Sequence, residues 1–440
     1  MSNHYFRLKE NARRLANFDE EAEEHNQNLM KMLFEDSDDE IEEHERQPIV
    51  NRIPNKNRNA LAGHEQLMND YLVENSVYSE KDFERRFRVT KGVFIRLCNN
   101  LQTKNSTSYF IQRADCTGKL GLTAPQKITS ALRQLGYGVS SDATDEYVRI
   151  GETTARKTLK IFTQSVIEIY GSDYLRKPTE EDLRGILQEN ATQGFPGCLG
   201  SLDCMHVGWK NCSRAWAGQF TGKEKEPTIV LEAVATKDRW IWHSFFGTPG
   251  TNNDINILDR SHLFDDVPRG QAPTVSFSLN GIRFNSGYYL ADGIYPSWAA
   301  FVKSVPNPSD SNLATKNFNT NQEAVRKDIE RAFGGLQSKW HILTTPVRMW
   351  YEEDIKSIVL CCIILHNMMV EEGISDFVSY PTPTPPGQSF TIVAATLANT
   401  FQDRRQVSNT IHSERLHRDL TNSLIKYQWE QKGNAPLSLS

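Results

Sequence analysis

One acidic residue stands among apolar and small neighbours in the stretch Gly200-Ser201-Leu202-Asp203-Cys204-Met205-His206. A short apolar run of this kind, opened by a glycine, predicts a buried β-strand. An ionised carboxylate in such a strand is costly unless a cation or a proton compensates its charge. Asp203 is therefore either half of a structural salt bridge or a metal ligand, and the sequence favours the second.

A second acidic residue, Asp292, follows the aromatic and aliphatic run over residues 288–291 and precedes Gly293. An aspartate before a glycine is typical of a turn. The carboxyl ends of strands are also where α/β folds place their functional residues. Both interpretations stay open on the local sequence.

Further acidic residues are candidates for the same site, and on the local sequence Asp328 and Glu323 compete with Glu330 for the position on the helix. Glu330 lies at the edge of the apolar stripe of a predicted helix over residues 321–340, where Arg326, four residues earlier, offers it an ordinary surface ion pair. Asp254 stands in the polar loop after Gly250, where it either caps a helix or serves as an alternate metal ligand. Two strand carboxylates and one helix carboxylate can converge on a pair of divalent ions, which prefer oxygen ligands.

The pattern around these residues predicts a sheet accompanied by helices. Short runs rich in β-branched and aromatic residues predict strands, and longer segments with helical spacing predict helices. This order predicts an α/β fold in which an RNase H-like mixed sheet is flanked by helices. The predicted strands cover residues 198–207, 228–236, 240–246 and 288–291, and the predicted helices cover residues 296–303, 321–340 and 353–370.

An all-helical region is predicted ahead of the sheet. One helix starts after Thr123 and stops at Gly136-Tyr137-Gly138, a second, short one fits residues 142–149, and a third begins after Gly151. Two helices joined by a short turn, the second with basic residues on its outer face, are typical of a helix-turn-helix. A structural helix bundle with ordinary surface basic residues would show the same pattern.

Two groups of basic residues are candidates for contacts with DNA. One group lies off the apolar stripe of the third helix, and the other lies opposite the aromatic residues of an earlier helix. The first group is Arg156, Lys157 and Lys160, and the second is Arg85, Arg86 and Arg88.

The charge of the chain is unevenly distributed. Residues 1–46 hold 14 acidic against 6 basic side chains, a net charge of −8, so the remainder carries +3. A segment this acidic is expected to be disordered, either as a solvating tail or as an arm that mimics nucleic-acid charge. We expect a disordered acidic tail and linker over residues 1–60, a helical DNA-binding domain over 61–175, a linker helix over 176–196, the catalytic domain over 197–375, a proline-containing linker over 376–410, and a C-terminal helix and tail over 411–440.

Several classes of protein are disfavoured. The seven cysteines lack the spacing of secreted proteins, which indicates a reducing compartment. The N-terminus lacks the apolar segment of a signal peptide, and the longest apolar run, residues 358–370, is too short to span a membrane. No glycine-rich phosphate-binding motif occurs. A zinc site is disfavoured because the candidate ligands lack paired cysteine spacing; they are Cys198, Cys204, His206 and Cys212.

Segments in family order across most of the chain resemble the PIF/Harbinger transposases, in their plant- and oomycete-like branch. The strongest motifs contain the three acidic residues: the stretch around Asp203, Tyr288-Tyr289-Leu290-Ala291-Asp292-Gly293, and Arg326-Lys327-Asp328-Ile329-Glu330-Arg331-Ala332-Phe333-Gly334. Leu202, where the family often has isoleucine, and Val207-Gly208, which replace a bulkier pair, are departures that remove no acidic residue. Further matching segments are residues 64–71, 83–88, 151–155, 194–197, 209–212, 227–235, 250–256 and 362–368.

This resemblance implies a chemistry and a set of partners. Asp203, Asp292 and Glu330 would be the catalytic DDE triad, holding two Mg²⁺ ions, for which Mn²⁺ would substitute, with Asp254 as an alternate ligand. Such an enzyme cuts transposon ends and joins them to target DNA. The resemblance further implies double-stranded DNA as substrate, a Myb-like partner protein, a homo-oligomer on DNA, no membrane and a nuclear location.

Two other functions stay open. The chain could be a DNA-binding regulator that has kept the fold without transposition, or a nuclease that cuts without strand transfer. An intact triad weighs against the first of these.

Overall fold

A computed structural model describes residues 56–266, 274–309, 311–376, 390–393 and 409–433. From Arg58 onward these residues form one compact unit. The predicted acidic tail and most of the predicted proline-containing linker lie outside the described residues. In the described part of the chain, no helix is both long and apolar enough to cross a membrane.

The centre of the molecule is a five-stranded mixed sheet in the order β3-β2-β1-β6-β7. The first three strands form an antiparallel meander, and β6 and β7 continue the sheet in the direction of β1. This order and the helices on its faces are compatible with an RNase H-like fold. The strands are β1 (Cys198–Gly208), β2 (Thr228–Ala235), β3 (Ile241–Pro249), β4 (Thr274–Leu279), β5 (Ile282–Phe284), β6 (Tyr288–Leu290), β7 (Phe301–Val302) and β8 (Phe390–Val393).

The four predicted strands are confirmed with small changes at their ends. Strand β2 is buried along its whole length, as expected for an almost continuous apolar run. A second, three-stranded sheet in the order β5-β4-β8 was not predicted. Its strand β8 falls inside the predicted linker and pairs with β4 from more than 110 residues away, a pairing that local sequence does not encode.

The helices that surround the sheet begin and end close to sequence signals. The predicted helix over 321–340 is part of a longer helix that Asn312 caps by accepting a hydrogen bond from the Thr315 backbone N–H. The helices used below are α1 (Ala60–Leu67), α2 (Glu80–Phe87), α3 (Lys91–Thr103), α4 (Ala124–Tyr137), α5 (Asp145–Val148), α6 (Glu152–Tyr174), α7 (Glu180–Thr192), α8 (Arg214–Phe220), α9 (Asp254–Leu258), α10 (Leu313–Lys339), α11 (Glu352–Asp376) and α12 (Glu414–Gln431).

The predicted helix over 296–303 is wrong. Its buried apolar residues instead lead into the edge strand β7, because the Tyr289 backbone N–H donates to the Ala300 carbonyl and the Ala291 N–H donates to the Val302 carbonyl. A short apolar run does not by itself distinguish a strand from a helix. Pairing with β6 decides the outcome here.

The start and stop of α4 are confirmed. Thr123 and Gln126 form a capping box, and Gly138 ends the helix with φ of 62°, a left-handed conformation that glycine adopts without strain. The predicted short second helix is a 3₁₀ turn followed by α5.

The arrangement of α4 and α6 does not show a helix-turn-helix. Helix α6 buries Leu159, Phe162 and Val166 in an apolar core that also contains residues of α4, of strand β2 and of α11. One core therefore runs from the N-terminal helices into the sheet. The long α6 packs against both parts, and its apolar stripe serves this shared core.

Candidate active site

Asp203 lies in β1, and Asp292 follows the end of β6, the parallel neighbour of β1. Ser201 of β1 pairs with Leu290 of β6, so two further residues along each chain place Asp203 beside Asp292. Burial raises the pKa of Asp203, and the charges of Asp292 and Asp254 raise it further, whereas the Cys204 backbone N–H and Arg326 lower it. The charges of Asp292 and Asp254 therefore act on Asp203 near the end of the paired segment of β1 and β6.

Glu330 joins this group through a shared arginine. The Arg326 guanidinium, on α10, donates from Nη1 to Asp203 Oδ2 at 3.1 Å and from Nη2 to Glu330 Oε1 at 2.9 Å. The side chains of Asp203 and Arg326 are 21% and 18% exposed, and that of Glu330 is 45% exposed. The surface ion pair predicted for Glu330 exists, but its arginine also contacts Asp203, which the sequence did not reveal.

Helix α10 is held against β1 beside this pair. The Ser201 hydroxyl donates to the Val325 carbonyl at 3.2 Å, and Ile329 is fully buried in the core below. The i to i+4 spacing then places Arg326 and Glu330 on the same outer side of the helix. The helix thus presents both side chains toward Asp203.

Asp292 and Asp254 have local roles as well. Asp292 Oδ1 accepts the Ile294 backbone N–H at 2.9 Å, the hydrogen bond expected of a turn-forming aspartate. Asp254 is the first residue of α9, and the capping hydrogen bond is made by Asn253 instead. Burial raises the pKa of Asp254, and the charge of Asp292 adds to this effect. Asp254 therefore lies within electrostatic reach of Asp292 and is not needed as a cap.

The donors of this group suit a hard divalent cation. They are carboxylate oxygens, and Mg²⁺ prefers oxygen ligands. As placed, no three His, Cys, Asp or Glu side chains among the described residues are close enough to hold a metal ion by themselves. Mg²⁺ is commonly held by one or two carboxylates together with water and substrate phosphate, so the donor chemistry fits while a complete protein cage is not formed.

The cysteine and histidine residues weighed for zinc have other contacts. Cys198 donates from Sγ to the Gly200 carbonyl, and His206 Nδ1 lies 2.9 Å from the Thr228 hydroxyl. Burial raises the pKa of the Cys204 thiol, which opposes formation of a thiolate ligand. Cys198 belongs to the apolar core, and Cys204 and His206 are half-buried along β1.

A buried carboxyl group behind the site was not predicted. Glu232 of β2 is 0% exposed, pairs across the sheet with Cys204, and neither of its carboxylate oxygens has a hydrogen-bond partner. Burial raises its pKa to about 7, the nearby Ser261 hydroxyl offsets this in part, and Asp254 adds to it. His243 Nε2 lies 3.9 Å from Glu232 Oε1, and burial lowers the pKa of His243 to about 4. A lone acid within an otherwise apolar strand is the signal that identifies this residue.

The two groups of basic residues have different surroundings. Arg156 and Lys160 form ion pairs with Glu152 at 2.6 Å and with Asp354 at 3.1 Å, and with Lys157 they line a groove of about 360 Å³. In the other group, Arg86 stacks over the ring of Tyr78, Arg88 stacks over Tyr137, and Arg85 is paired with Asp82.

The segment that carries the site has recognisable relatives. Residues 172–376 match the plant transposon protein family. The matched segment contains Asp203, Asp254, Asp292 and Glu330. Residues 63–102 match a separate domain of unknown function. The chain is 25% identical over 309 residues to the protein antagonist of like heterochromatin protein 1 from Arabidopsis thaliana, covering 68% of this chain and 76% of the relative. It is 23% identical over 267 residues to the mouse (Mus musculus) protein named "Putative nuclease HARBI1", and the match covers 59% of this chain and 72% of the relative.

The matched segment and these relatives support a similarity to the broader Harbinger-derived, nuclease-like family. They do not distinguish between the branches of that family. A further relative, the protein ALP1-like of Arabidopsis thaliana, is 22% identical, and the match covers 66% of this chain and 71% of the relative. No solved structure gives a significant match to the chain.

Proposed function

We propose that the protein is a metal-dependent DNA nuclease of transposase origin, which cuts transposon ends and joins them to target DNA. The observation that carries the proposal is the junction of Asp203 and Glu330 through Arg326, next to the position where Asp292 leaves β6. An acid within a strand, an acid that follows a strand and an acid on a helix are the combination that the DDE resemblance implies, and this supports the proposal. The nuclease name of the mouse relative supports the same activity.

The residues have separable tasks in this proposal. Asp203 and Asp292 would hold Mg²⁺, with Glu330 or Asp254 completing the set. When bound, such ions lower the pKa of coordinated water and stabilise charge that develops on a phosphodiester. Arg326 partly offsets the effect of burial and of the neighbouring carboxylates at Asp203, because its charge lowers a pKa that they raise.

The finer features follow from the resemblance. We infer membership of the PIF/Harbinger branch, double-stranded DNA as substrate, a Myb-like partner, homo-oligomers on DNA and a nuclear location. Arg156, Lys157 and Lys160 would contact the phosphate backbone, because they project from the start of α6 and line an open groove. Arg86 and Arg88 are occupied by tyrosine rings and contribute less.

A second candidate function is that of a domesticated regulator without transposition. The relative named as an antagonist of like heterochromatin protein 1 favours it, because that name describes antagonism of a chromatin protein and not cleavage. The two functions differ in whether the acidic group binds metal.

Calorimetric titration of Mn²⁺ into the full-length protein separates them without knowledge of the cognate DNA. We expect Mn²⁺ binding by the wild type, loss of binding in Asp203→Asn and in Asp292→Asn, and unchanged binding in Asp259→Asn, which removes one exposed carboxylate just after α9. Equal Mn²⁺ binding by all four proteins would contradict the metal site. Absence of binding in the wild type would favour the regulator.

A further inference from the structure

A groove beside α6 combines basic side chains with two exposed aromatic rings. It has a volume of about 360 Å³, and its apolar floor includes Leu159 and Ile358. Trp350 is 72% exposed and Tyr351 is 67% exposed, the highest values for tryptophan, tyrosine and phenylalanine among the described residues. Two large exposed rings at consecutive positions form an apolar patch, and such a patch beside a groove indicates a binding surface.

The backbone that carries these rings is firmly held. The Val347 N–H donates to the Gly208 carbonyl at 2.8 Å, Trp209 Nε1 donates to the Met349 carbonyl at 2.9 Å, and Asn211 Nδ2 donates to the Arg348 carbonyl at 2.6 Å. The residues preceding Trp350 are therefore fastened to the end of β1. The exposure of both rings is a property of an anchored segment.

The charge of the groove favours an anionic ligand. Its lining contains three cations, Arg156, Lys157 and Lys160, against one acid, Asp354, which is paired with Lys160. Arg156 is paired with Glu152, which does not line the groove, so Lys157 is the cation of the lining outside these two pairs. Lys157 takes part in none of the ion pairs found among the described residues. A ligand that presents flat rings and phosphates together meets both features of the groove.

The size of the groove selects an unpaired strand over a duplex. A space of about 360 Å³ accommodates one or two nucleobases, whereas bases inside a duplex are stacked on one another and cannot offer a free face. Trp209 lies six residues beyond Asp203 along β1 and its continuation, a path of about 20 Å at 3.3 Å per residue. The strand that carries Asp203 is therefore the one whose end anchors the segment with the two rings.

We propose that this aromatic groove binds an unpaired stretch of the DNA substrate, with bases stacked on Trp350 and Tyr351 and phosphates held by Arg156 and Lys157. The inference rests on the proposed action on DNA and deepens it by naming the form of DNA that is held away from the acidic group. A protein segment in the same groove is the competing occupant.

Fluorescence anisotropy tests the assignment with the full-length protein in EDTA, which prevents cleavage. The probes are a labelled 20-nucleotide single strand and a blunt duplex of the same length. Trp350→Ala and Tyr351→Ala should each weaken single-strand binding at least tenfold and change duplex binding less than twofold. The matched control is Trp216→Ala, because Trp216 is 52% exposed but does not line the groove.

A conservative variant guards against a purely structural effect. Trp350→Phe should retain most of the single-strand affinity, because a phenyl ring still stacks. DNA should quench less tryptophan fluorescence in this variant than in the wild type, because the indole of Trp350 is absent. Thermal unfolding of all variants should match the wild type, because both rings are exposed.

The outcomes separate this inference from the proposed function. If Trp350→Ala and Tyr351→Ala bind single strands as tightly as the Trp216→Ala control does, the groove assignment is overturned. If these variants still bind the duplex, the proposed function stands. Equal losses on single strand and duplex would overturn the preference for unpaired DNA. A wild-type protein that binds neither probe would overturn both the inference and the proposed function.

Discussion

Glu232→Gln should stabilise the protein, and the gain should depend on pH. The Glu232 carboxyl is fully buried without a hydrogen-bond partner, and burial raises its pKa from 4.5 to about 7. The folded state therefore binds a proton that the unfolded state releases between these two pH values. Stability conferred by the protonated form is present below pH 4.5 and is lost as the pH rises toward 7.

The size of this loss follows from the difference between the folded and unfolded pKa values. A tenfold change in an ionisation constant corresponds to about 1.4 kcal/mol, so the penalty for ionising Glu232 approaches about 3 kcal/mol at pH 8. Glutamine has the same shape and stays neutral. Glu232→Gln should therefore be more stable than the wild type by up to about 3 kcal/mol at pH 8 and by much less at pH 5.

Urea unfolding at pH 5 and pH 8 measures this difference. Glu74→Gln is the control, because Glu74 is exposed. A variant that is less stable than the wild type at both pH values would contradict this explanation, because it would mean that Glu232 is ionised and paired with a protonated His243. A gain of equal size at both pH values would also contradict it.

Three further changes have defined outcomes. Gly200→Ala should lower the urea midpoint, because Gly200 has φ of 144° and a Cβ there would lie 2.9 Å from the Ala235 carbonyl oxygen; an unchanged midpoint would contradict the close approach. Arg326→Gln should shift to higher pH the range over which Mn²⁺ binding is lost on acidification, because Arg326 lowers the pKa of Asp203; calorimetry between pH 5 and 8 measures this. Loss of binding at the wild-type pH would mean that Arg326 does not affect the ionisation of Asp203. Arg156→Ala combined with Lys160→Ala should weaken DNA binding and reduce its salt slope by up to about two, with Mn²⁺ affinity unchanged; an unchanged slope would remove these residues from the DNA contact.

The strands that carry the acidic residues were predictable because their sequence is locally consistent. An apolar run interrupted by one acid predicted β1, and its length was nearly correct. The β-branched run of β2 and the cap and glycine stop of α4 were equally clear. In these segments the local preference and the tertiary environment agree.

Other features depended on contacts that sequence spacing does not contain. The bond between Arg326 and Asp203 joins residues 123 positions apart, so only the helical neighbour Glu330 was evident beforehand. The helix-turn-helix expectation rested on a pattern of two helices and basic residues, and the structure does not show it because α6 packs into a core shared with the sheet. The groove at Trp350 combines α6 with a segment almost 200 residues further along the chain.

Whether the acidic group carries out DNA cleavage is decided by the initial rate at which the full-length protein nicks supercoiled plasmid DNA in Mg²⁺. We expect nicking by the wild type and by Asp259→Asn that EDTA abolishes. For Asp203→Asn we expect a rate lower by several orders of magnitude, with thermal stability unchanged or raised because one of several clustered like charges is removed. Nicking by Asp203→Asn at the wild-type rate would show that the chemistry lies elsewhere.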